Sequence, residues 1–427
     1  MNAAIILTLV LMMVLFIIRI PIPLSIFASS LFYLIVTGTD IGLIATASMG
    51  SMYGNSTIVA IPLFIFLANI MGSSKVSVYM FNFVKAIFGR VRGAMAYTNI
   101  LVSLIFAGMS GNALADASGT GLMEVDVMVE DGYDLPFSCA MTCATSVVGP
   151  IFPPSVQMVI FAMLSGVSVG SLFMGGVVPA VFICASLAAY TAWISKKRDY
   201  PRGHKYTLKE FVQFTWKALP ALMTPVILMT CLYTGIVTAT ESGVIASFYA
   251  LLIAVFGYRI MGWKEFFNAV KQTVISSCVV MATLLSVYAL NLVIVKSGLA
   301  TTVADMILEM TSSKYVFLLV VNVAFLICGM FIPGEIPTYI IIPMLIPAAS
   351  ALGIDMVHFG VIVTINLIFG MITPPYGMLC FVVSGATKCP LGDLFKECMP
   401  MAIILFVDLL VLMYVPQMVT WLPGIIG

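Results

Sequence analysis

The sequence predicts an all-α polytopic membrane protein made of two inverted repeats. Three observations carry this: an apolar composition, apolar runs of membrane-spanning length, and one motif used twice at a constant offset. Of 427 residues, 62% are hydrophobic and 9% charged, against roughly a quarter charged in ordinary soluble domains. The motif Gly149-Pro150-Ile151-Phe152-Pro153-Pro154 returns 221 positions later as Gly370-Met371-Ile372-Thr373-Pro374-Pro375. At the same offset Gly108-Met109 matches Gly329-Met330, and Gly132 and Asp134 match Gly353 and Asp355. Proline has no amide proton to donate and disfavours helix in the residue before it, so each proline pair predicts an unwound turn inside an apolar helix.

Apolar runs of about 17 to 25 residues read as spanning helices. The first half gives 3–18, 23–36, 58–72, 137–164 broken at its prolines, and 171–194. The run 3–18 has no basic residue before it and no small-residue cleavage site, so it reads as a membrane helix and not as a signal peptide. Segment 94–129 differs. Its flanks are apolar and its middle, Gly108 to Asp116, is small and polar, which predicts a re-entrant hairpin. The second half repeats the order with 218–234, 243–258, 274–295, a hairpin at 316–351 turning at 329–338, a broken helix at 359–384, and a last span at 401–419. The expected organisation is a first repeat at 1–195, a linker at 196–209 and a second repeat at 210–427.

Five spans in each half is an odd number, so the second half enters the membrane from the opposite side, as inverted-repeat transporters do. Charge gives the orientation. With the N-terminus in the periplasm, 17 of the 19 basic residues fall on the cytoplasmic side, including the Lys196-Lys197-Arg198 linker, and only Lys296 and Lys314 fall outside. The expected location is a bacterial inner membrane.

The two hairpin tips should then meet near the midplane, each against the proline break of its own repeat. Unwound turns expose backbone carbonyls, and carbonyl and hydroxyl oxygens can replace the water shell of a small hard cation. The candidate first site is Ser110 and Asn112 from the tip with Gly149, Phe152 and Pro154 from the break. The second is Gly329, Gly334 and Glu335 from the tip with Gly370, Thr373 and Pro374 from the break. Glycine and proline can also serve only close packing and kinks; the recurrence in register favours a site. Candidate substrate contacts are Ser110, Asn112, Thr373 and Lys296, the last also readable as a snorkelling side chain. Asp116, Glu335 and Asp408 are acids within apolar surroundings, and such groups are functional candidates by default. Asn69 and Asn291 read as interhelical hydrogen-bond formers. Nine scattered cysteines receive no chemistry; Cys139 and Cys143, one turn apart, read as small buried hydrophobes.

These residues resemble those of a known family. Gly329-Met330-Phe331-Ile332, Ile342-Pro343-Met344-Leu345-Ile346-Pro347, Gly353-Ile354-Asp355, His358-Phe359-Gly360 and the Gly370 to Gly377 stretch look like the large membrane subunit of tripartite ATP-independent periplasmic (TRAP) transporters. Thr238-Ala239-Thr240-Glu241-Ser242 and the Gly108 to Asp116 stretch fit the same family, so the resemblance covers essentially the whole chain. It implies uptake of a carboxylate driven by sodium ions, with an elevator movement of a hairpin-bearing transport domain against a scaffold. It implies two partners: a small four-helix membrane subunit and a periplasmic substrate-binding protein. The wording is closest to the sialic-acid branch. One departure stands at the second tip, where many relatives have an acidic or hydroxyl residue and this chain has Pro333 before Gly334 and Glu335.

Two other classes compete. A stand-alone sodium/dicarboxylate symporter of similar build would work without a binding protein, and a TRAP permease could equally carry C4-dicarboxylates or other sugar acids. A membrane-embedded enzyme is disfavoured by having two histidines only, His204 and His358, and by the lack of His-Glu-x-x-His or Gly-x-Ser-x-Gly. No Gly-x-x-x-x-Gly-Lys occurs, so ATP is not expected as the energy source. A net charge of +1 argues neither for nor against nucleic acid, and no nucleic-acid partner is expected.

Overall fold

A computed structural model describes residues 3–72, 74–331 and 335–426, the side chains of 74, 75, 335 and 426 excepted. The described residues are helical, with one isolated bridge between Arg92 and Arg202. The chain runs through α1 (Ala3–Ile17), α2 (Ile22–Val36), α3 (Gly42–Gly54), a 3₁₀ turn (Ser56–Val59), α4 (Ala60–Met71) and α5 (Ser74–Ile87). The first hairpin follows as α6 (Ala94–Ser110), α7 (Ala113–Ser118) and α8 (Thr120–Glu130), then the broken helix as α9 (Leu135–Ser146) and α10 (Val156–Ser165), then α11 (Val169–Lys197). The second half is α12 (Leu208–Tyr233), α13 (Ala239–Leu252) with a π turn (Ile253–Gly257), α14 (Trp263–Ser297) and α15 (Leu299–Met310). It continues as α16 (Lys314–Phe331), α17 (Glu335–Ala351), α18 (Met356–Gly370), α19 (Met378–Thr387), α20 (Leu391–Tyr414) and α21 (Gln417–Ile426).

The repeated sequence marks turn out to be helix boundaries. Gly132 and Gly353 sit at φ +93° and +66°, a turn glycine adopts without strain. Two residues on, Asp134 and Asp355 stand at the N-caps of α9 and α18, and the Asp355 carboxylate accepts the His358 N–H at 2.9 Å. The proline pairs fall in the gaps α9/α10 and α18/α19, both with cis Pro-Pro bonds. Thr238 starts α13 with a capping box: its hydroxyl accepts the Glu241 N–H at 3.3 Å and Glu241 accepts the Thr238 N–H at 2.7 Å.

Several spans differ from the sequence reading. The third was placed at 58–72, but α3 precedes it and meets the 56–71 segment at a 71° bend, with Asn55 capping the turn through Thr57 N–H. The last was placed at 401–419; α20 begins ten residues earlier and carries Pro400 inside it, and the chain breaks at Val415-Pro416 before α21. α12 and α14 start about ten residues before the expected 218 and 274. The linker is shorter than expected, 198–207, because α11 and α12 extend into it. Six of the described helices are long and apolar enough to cross a membrane: α11, α12, α13 with its π turn, α14, α16 and α20.

Packing sorts the helices into two sets. α14 lies against α2, α3 and α4, α13 against α4, and α12 against α5 and α13. The hairpins and broken helices form the other set: α6 packs on α9 and α16 on α18. Between repeats the packing crosses over. α10 lies against α17 and α18, and α19 against α7 and α9. The linker fastens this set, since Arg198 pairs with Glu397 at 2.8 Å and Asp134 at 3.6 Å while Tyr200 donates to Asp134 at 3.0 Å and stacks on Tyr133.

Candidate ion and substrate site

At the first tip α6 ends at Ser110, Gly111 turns at φ +59°, and Asn112 opens α7. This tip lies against Gly149, Phe152 and Pro154 of the first break. A Cβ on Gly111 would stand 2.0 Å from the Pro154 carbonyl oxygen, one on Gly108 3.3 Å from the Phe152 ring, and one on Gly149 3.3 Å from the Asn112 carbonyl carbon. The backbone of the tip therefore lies against the unwound turn with no room for side chains. Ser155 holds the turn's far end, donating to Pro150 O at 2.5 Å and capping α10 through Met158 N–H.

The polar groups here fall into two kinds. The Asn112 side-chain oxygen accepts the Leu114 and Ala115 N–H groups at 2.9 and 3.3 Å, so it serves first as the α7 cap. The Ser110 hydroxyl is buried with no hydrogen-bond partner among the described residues. An orphaned buried hydroxyl costs free energy unless something absent from the protein chain completes it.

Behind this tip lies a polar chamber that the sequence revealed only in part. Asp116, 2% exposed, accepts the Thr120 hydroxyl at 2.9 Å through Oδ1, while Oδ2 has no partner. Ser103 and Ser146 approach its carboxylate, yet the Ser146 hydroxyl closes no hydrogen bond. Both carboxylate oxygens of the buried Glu124 lack partners too. Next to it Asn99 donates to Thr142 at 2.8 Å and accepts from Thr145 at 2.6 Å. Glu124 was not among the sequence candidates. The signal was the spacing of Asp116, Thr120 and Glu124, four apart, which an unbroken helix would put on one face.

At the second tip Gly329 and Gly370 cross backbone to backbone. A Cβ on Gly370 would stand 2.5 Å from the Gly329 carbonyl carbon, and one on Gly329 2.6 Å from the Leu367 oxygen. Thr373 and Pro374 lie in the break, half-buried, and the Thr373 hydroxyl donates to Phe369 O at 2.7 Å, leaving its lone pairs free. Gly334 lies outside the described residues, as does the Glu335 side chain. Lys296 is exposed in the last turn of α14, a helix of the first set, and makes no ion pair among the described residues.

The remaining polar candidates make structural contacts. Asn69 on α4 donates to Thr273 on α14 at 2.9 Å. Asp408 on α20 accepts the Ser186 hydroxyl of α11 at 2.8 Å. The His358 ring nitrogen meets Leu412 O at 3.0 Å. A cavity of about 670 Å³ opens among three helix starts: the 3₁₀ turn capped by Asn55, α11 capped by Ser168 and α13 capped by Thr238. Unpaired N–H groups and the helix dipole favour anions at such ends.

Residues 9–418 match the sequence family described as tripartite ATP-independent periplasmic transporter, DctM component. The chain is 34% identical over 398 residues to the sialic acid TRAP transporter large permease protein SiaM of Vibrio cholerae, covering 93% of each. It is 31% identical to the sialic acid TRAP transporter permease protein SiaT of Haemophilus influenzae over all of this chain and 69% of that one. The C4-dicarboxylate large permease DctM of Pseudomonas aeruginosa is 31% identical over 87% of each. Among solved structures the YdaH transporter of Alcanivorax borkumensis superposes with a TM-score of 0.65 over 88% of each chain at 14% identity, which speaks to the fold alone.

Proposed function

The chain belongs to the DctM component family of tripartite ATP-independent periplasmic transporters, and from that premise we propose that it performs sodium-coupled uptake of a carboxylate, with sialic acid favoured. The observation that carries the sodium reading is the seating of each hairpin tip on its own proline break, with the Ser110 hydroxyl orphaned at the first. One sodium ion is held there by Ser110 and the carbonyls of Gly149, Phe152 and Pro154, with the Asn112 carbonyl oxygens beside them. A second is held by Gly329, Gly370, Thr373 and Pro374 with the tip residues Gly334 and Glu335. The substrate carboxylate lies between the tips and draws its counter-charge from bound sodium and helix ends.

The two packing sets supply the moving parts. α1 to α5 with α12 to α14 act as scaffold, and the hairpins with their broken helices act as the elevator. The repeats are inverted, the N-terminus is periplasmic, and the three helix starts around the 670 Å³ cavity then all face the periplasm. That cavity is where an anion delivered by a periplasmic binding protein enters; a small four-helix membrane subunit completes the complex. Sialic acid is favoured over C4-dicarboxylates because the relatives carrying that name are 34% and 31% identical over 93% and 100% of this chain, against 31% over 87% and 29% over 96% for two C4-dicarboxylate permeases.

The test is reconstitution in liposomes with the small subunit and binding protein. Inward sodium should drive labelled sialic acid uptake with more than first-order dependence on sodium. Full uptake in sodium-free buffer, driven by potassium or a proton gradient, would refute the coupling. Uptake of succinate in preference to sialic acid would reassign the substrate.

A further inference from the structure

Three cysteines from three helices converge in the interior. Cys143 on α9, Cys380 on α19 and Cys398 on α20 are each fully buried, and their sulfurs all lie within 4.8 Å of one another. The Cys380 and Cys398 sulfurs are 3.7 Å apart, and the Cys380 thiol donates to the Ile372 carbonyl at 3.6 Å. Ile372 is the residue before Thr373 in the second break.

The spacing is that of a three-coordinate site. Three sulfurs all within 4.8 Å of one another, one pair at 3.7 Å, need only small side-chain shifts to bond a single central ion at about 2.3 Å. Sulfur ligands select soft ions. Burial then selects by charge. Three thiolates around a monovalent ion carry a net charge of −2 and around a divalent ion −1, and either is costly at membrane depth. Around a trivalent ion the complex is neutral.

We propose that Cys143, Cys380 and Cys398 form a binding site for trivalent arsenic. Arsenous acid, itself uncharged, reaches the interior without a charge to desolvate. Each thiol gives its proton to one hydroxide of As(OH)₃ and its sulfur bonds to arsenic, so three S–H and three As–O bonds are replaced by three As–S bonds and three waters. Neither arsenic nor sulfur changes oxidation state. Binding also removes the Cys380 S–H bond to Ile372 O, so a loaded cluster releases a carbonyl in the second break. The bonds to arsenic also draw Cys380 away from the turn that it ties through Ile372, and loosening that turn weakens sodium binding there, a consequence that rests on the sodium reading above.

The background for the test is the chain with Cys231→Ser, Cys278→Ser and Cys328→Ser, which removes the exposed and half-buried thiols. The reduced protein in detergent is incubated with sodium arsenite, washed, and analysed for bound arsenic and its X-ray absorption. One arsenic per chain with a shell of three sulfurs is expected. Cys143→Ala, Cys380→Ala and Cys398→Ala should each lower retention by more than the roughly tenfold that loss of an outer contact costs. Cys139→Ala and Cys389→Ala, neighbours outside the cluster, should retain it. No retained arsenic, retention unchanged by any one of the three substitutions, or a shell containing oxygen would overturn the site. A preference for cadmium over arsenite would overturn the charge argument.

In liposomes arsenite should raise the sodium concentration for half-maximal uptake in the background variant and not in its Cys398→Ala derivative. Bound arsenic with an unchanged sodium response would overturn the link to the break. Failure of the sodium reading itself would appear earlier, as sodium-independent uptake without arsenite.

Discussion

At the scale of single residues, the first site hinges on a hydroxyl with nothing to bond. Ser110→Ala should leave expression and thermal stability near wild type while weakening apparent sodium affinity by about 1 kcal/mol, roughly fivefold. Thr373→Ala should do less, because that hydroxyl already donates to Phe369 O. Equal uptake-versus-sodium curves for Ser110→Ala and wild type would remove Ser110 from the site. Lys296 gives a different expectation: it is an exposed point charge at the end of α14, so Lys296→Ala should weaken uptake only at limiting substrate, with sodium dependence intact. Lys314→Ala should do little. Glu124 explains why part of the site was not legible. Asp116 announces itself beside the glycine-rich tip, whereas Glu124 lies on the return arm among Asp126, Glu130 and Asp131 and reads there as the polar end of a hairpin. The fold buries Glu124 and leaves Asp126 and Glu130 exposed, which spacing alone does not decide. Glu124→Met replaces a buried carboxyl group without a hydrogen-bond partner by an apolar side chain, and melting in sodium-free detergent should shift upward.

Among elements, what the sequence made plain was whatever it said twice. The double prolines, the Gly-Met pairs and the Gly-x-Asp turns each mark a helix end, and all fall where the offset of 221 puts them. Helices stated once and weakly were missed. α3 is mostly Gly, Ala, Ser and Thr, and α5 and α15 carry polar residues on one face, so none forms an apolar run. α21 was merged with α20 because Pro416 interrupts the helix without interrupting the hydrophobicity. The crossing of Gly329 and Gly370 has little room to yield, since backbone stands on both sides. Gly370→Ala must separate α16 from α18, at a cost on the order of 1–3 kcal/mol. Uptake should fall far more than expression, and Gly385→Ala, where a Cβ meets nothing within 4 Å, is the control. Normal uptake by Gly370→Ala would mean that this approach is not needed in transport.

On the scale of the whole molecule, the two halves are interlocked. α10, from the first half, lies against α17 and α18 of the second, and α19, from the second, lies against α7 and α9 of the first. A chain cut in the linker between 198 and 207 should therefore give halves that accumulate only when made together. Co-expression should restore binding of the small subunit, while either half alone should be degraded; a stable, monodisperse first half would contradict this. The same crossing sets an order of events during synthesis. When the ribosome has finished α10, the first hairpin and its break exist, but the helices that will cover them are some two hundred residues away in the message. For that interval α7, α9 and α10 show bare flanks to the bilayer, with the acids Asp116 and Glu124 behind them. A duplication that made two similar halves thus also made a waiting time, in which the earlier half depends on lipid, translocon or chaperone to shelter surfaces that only its own successor fits.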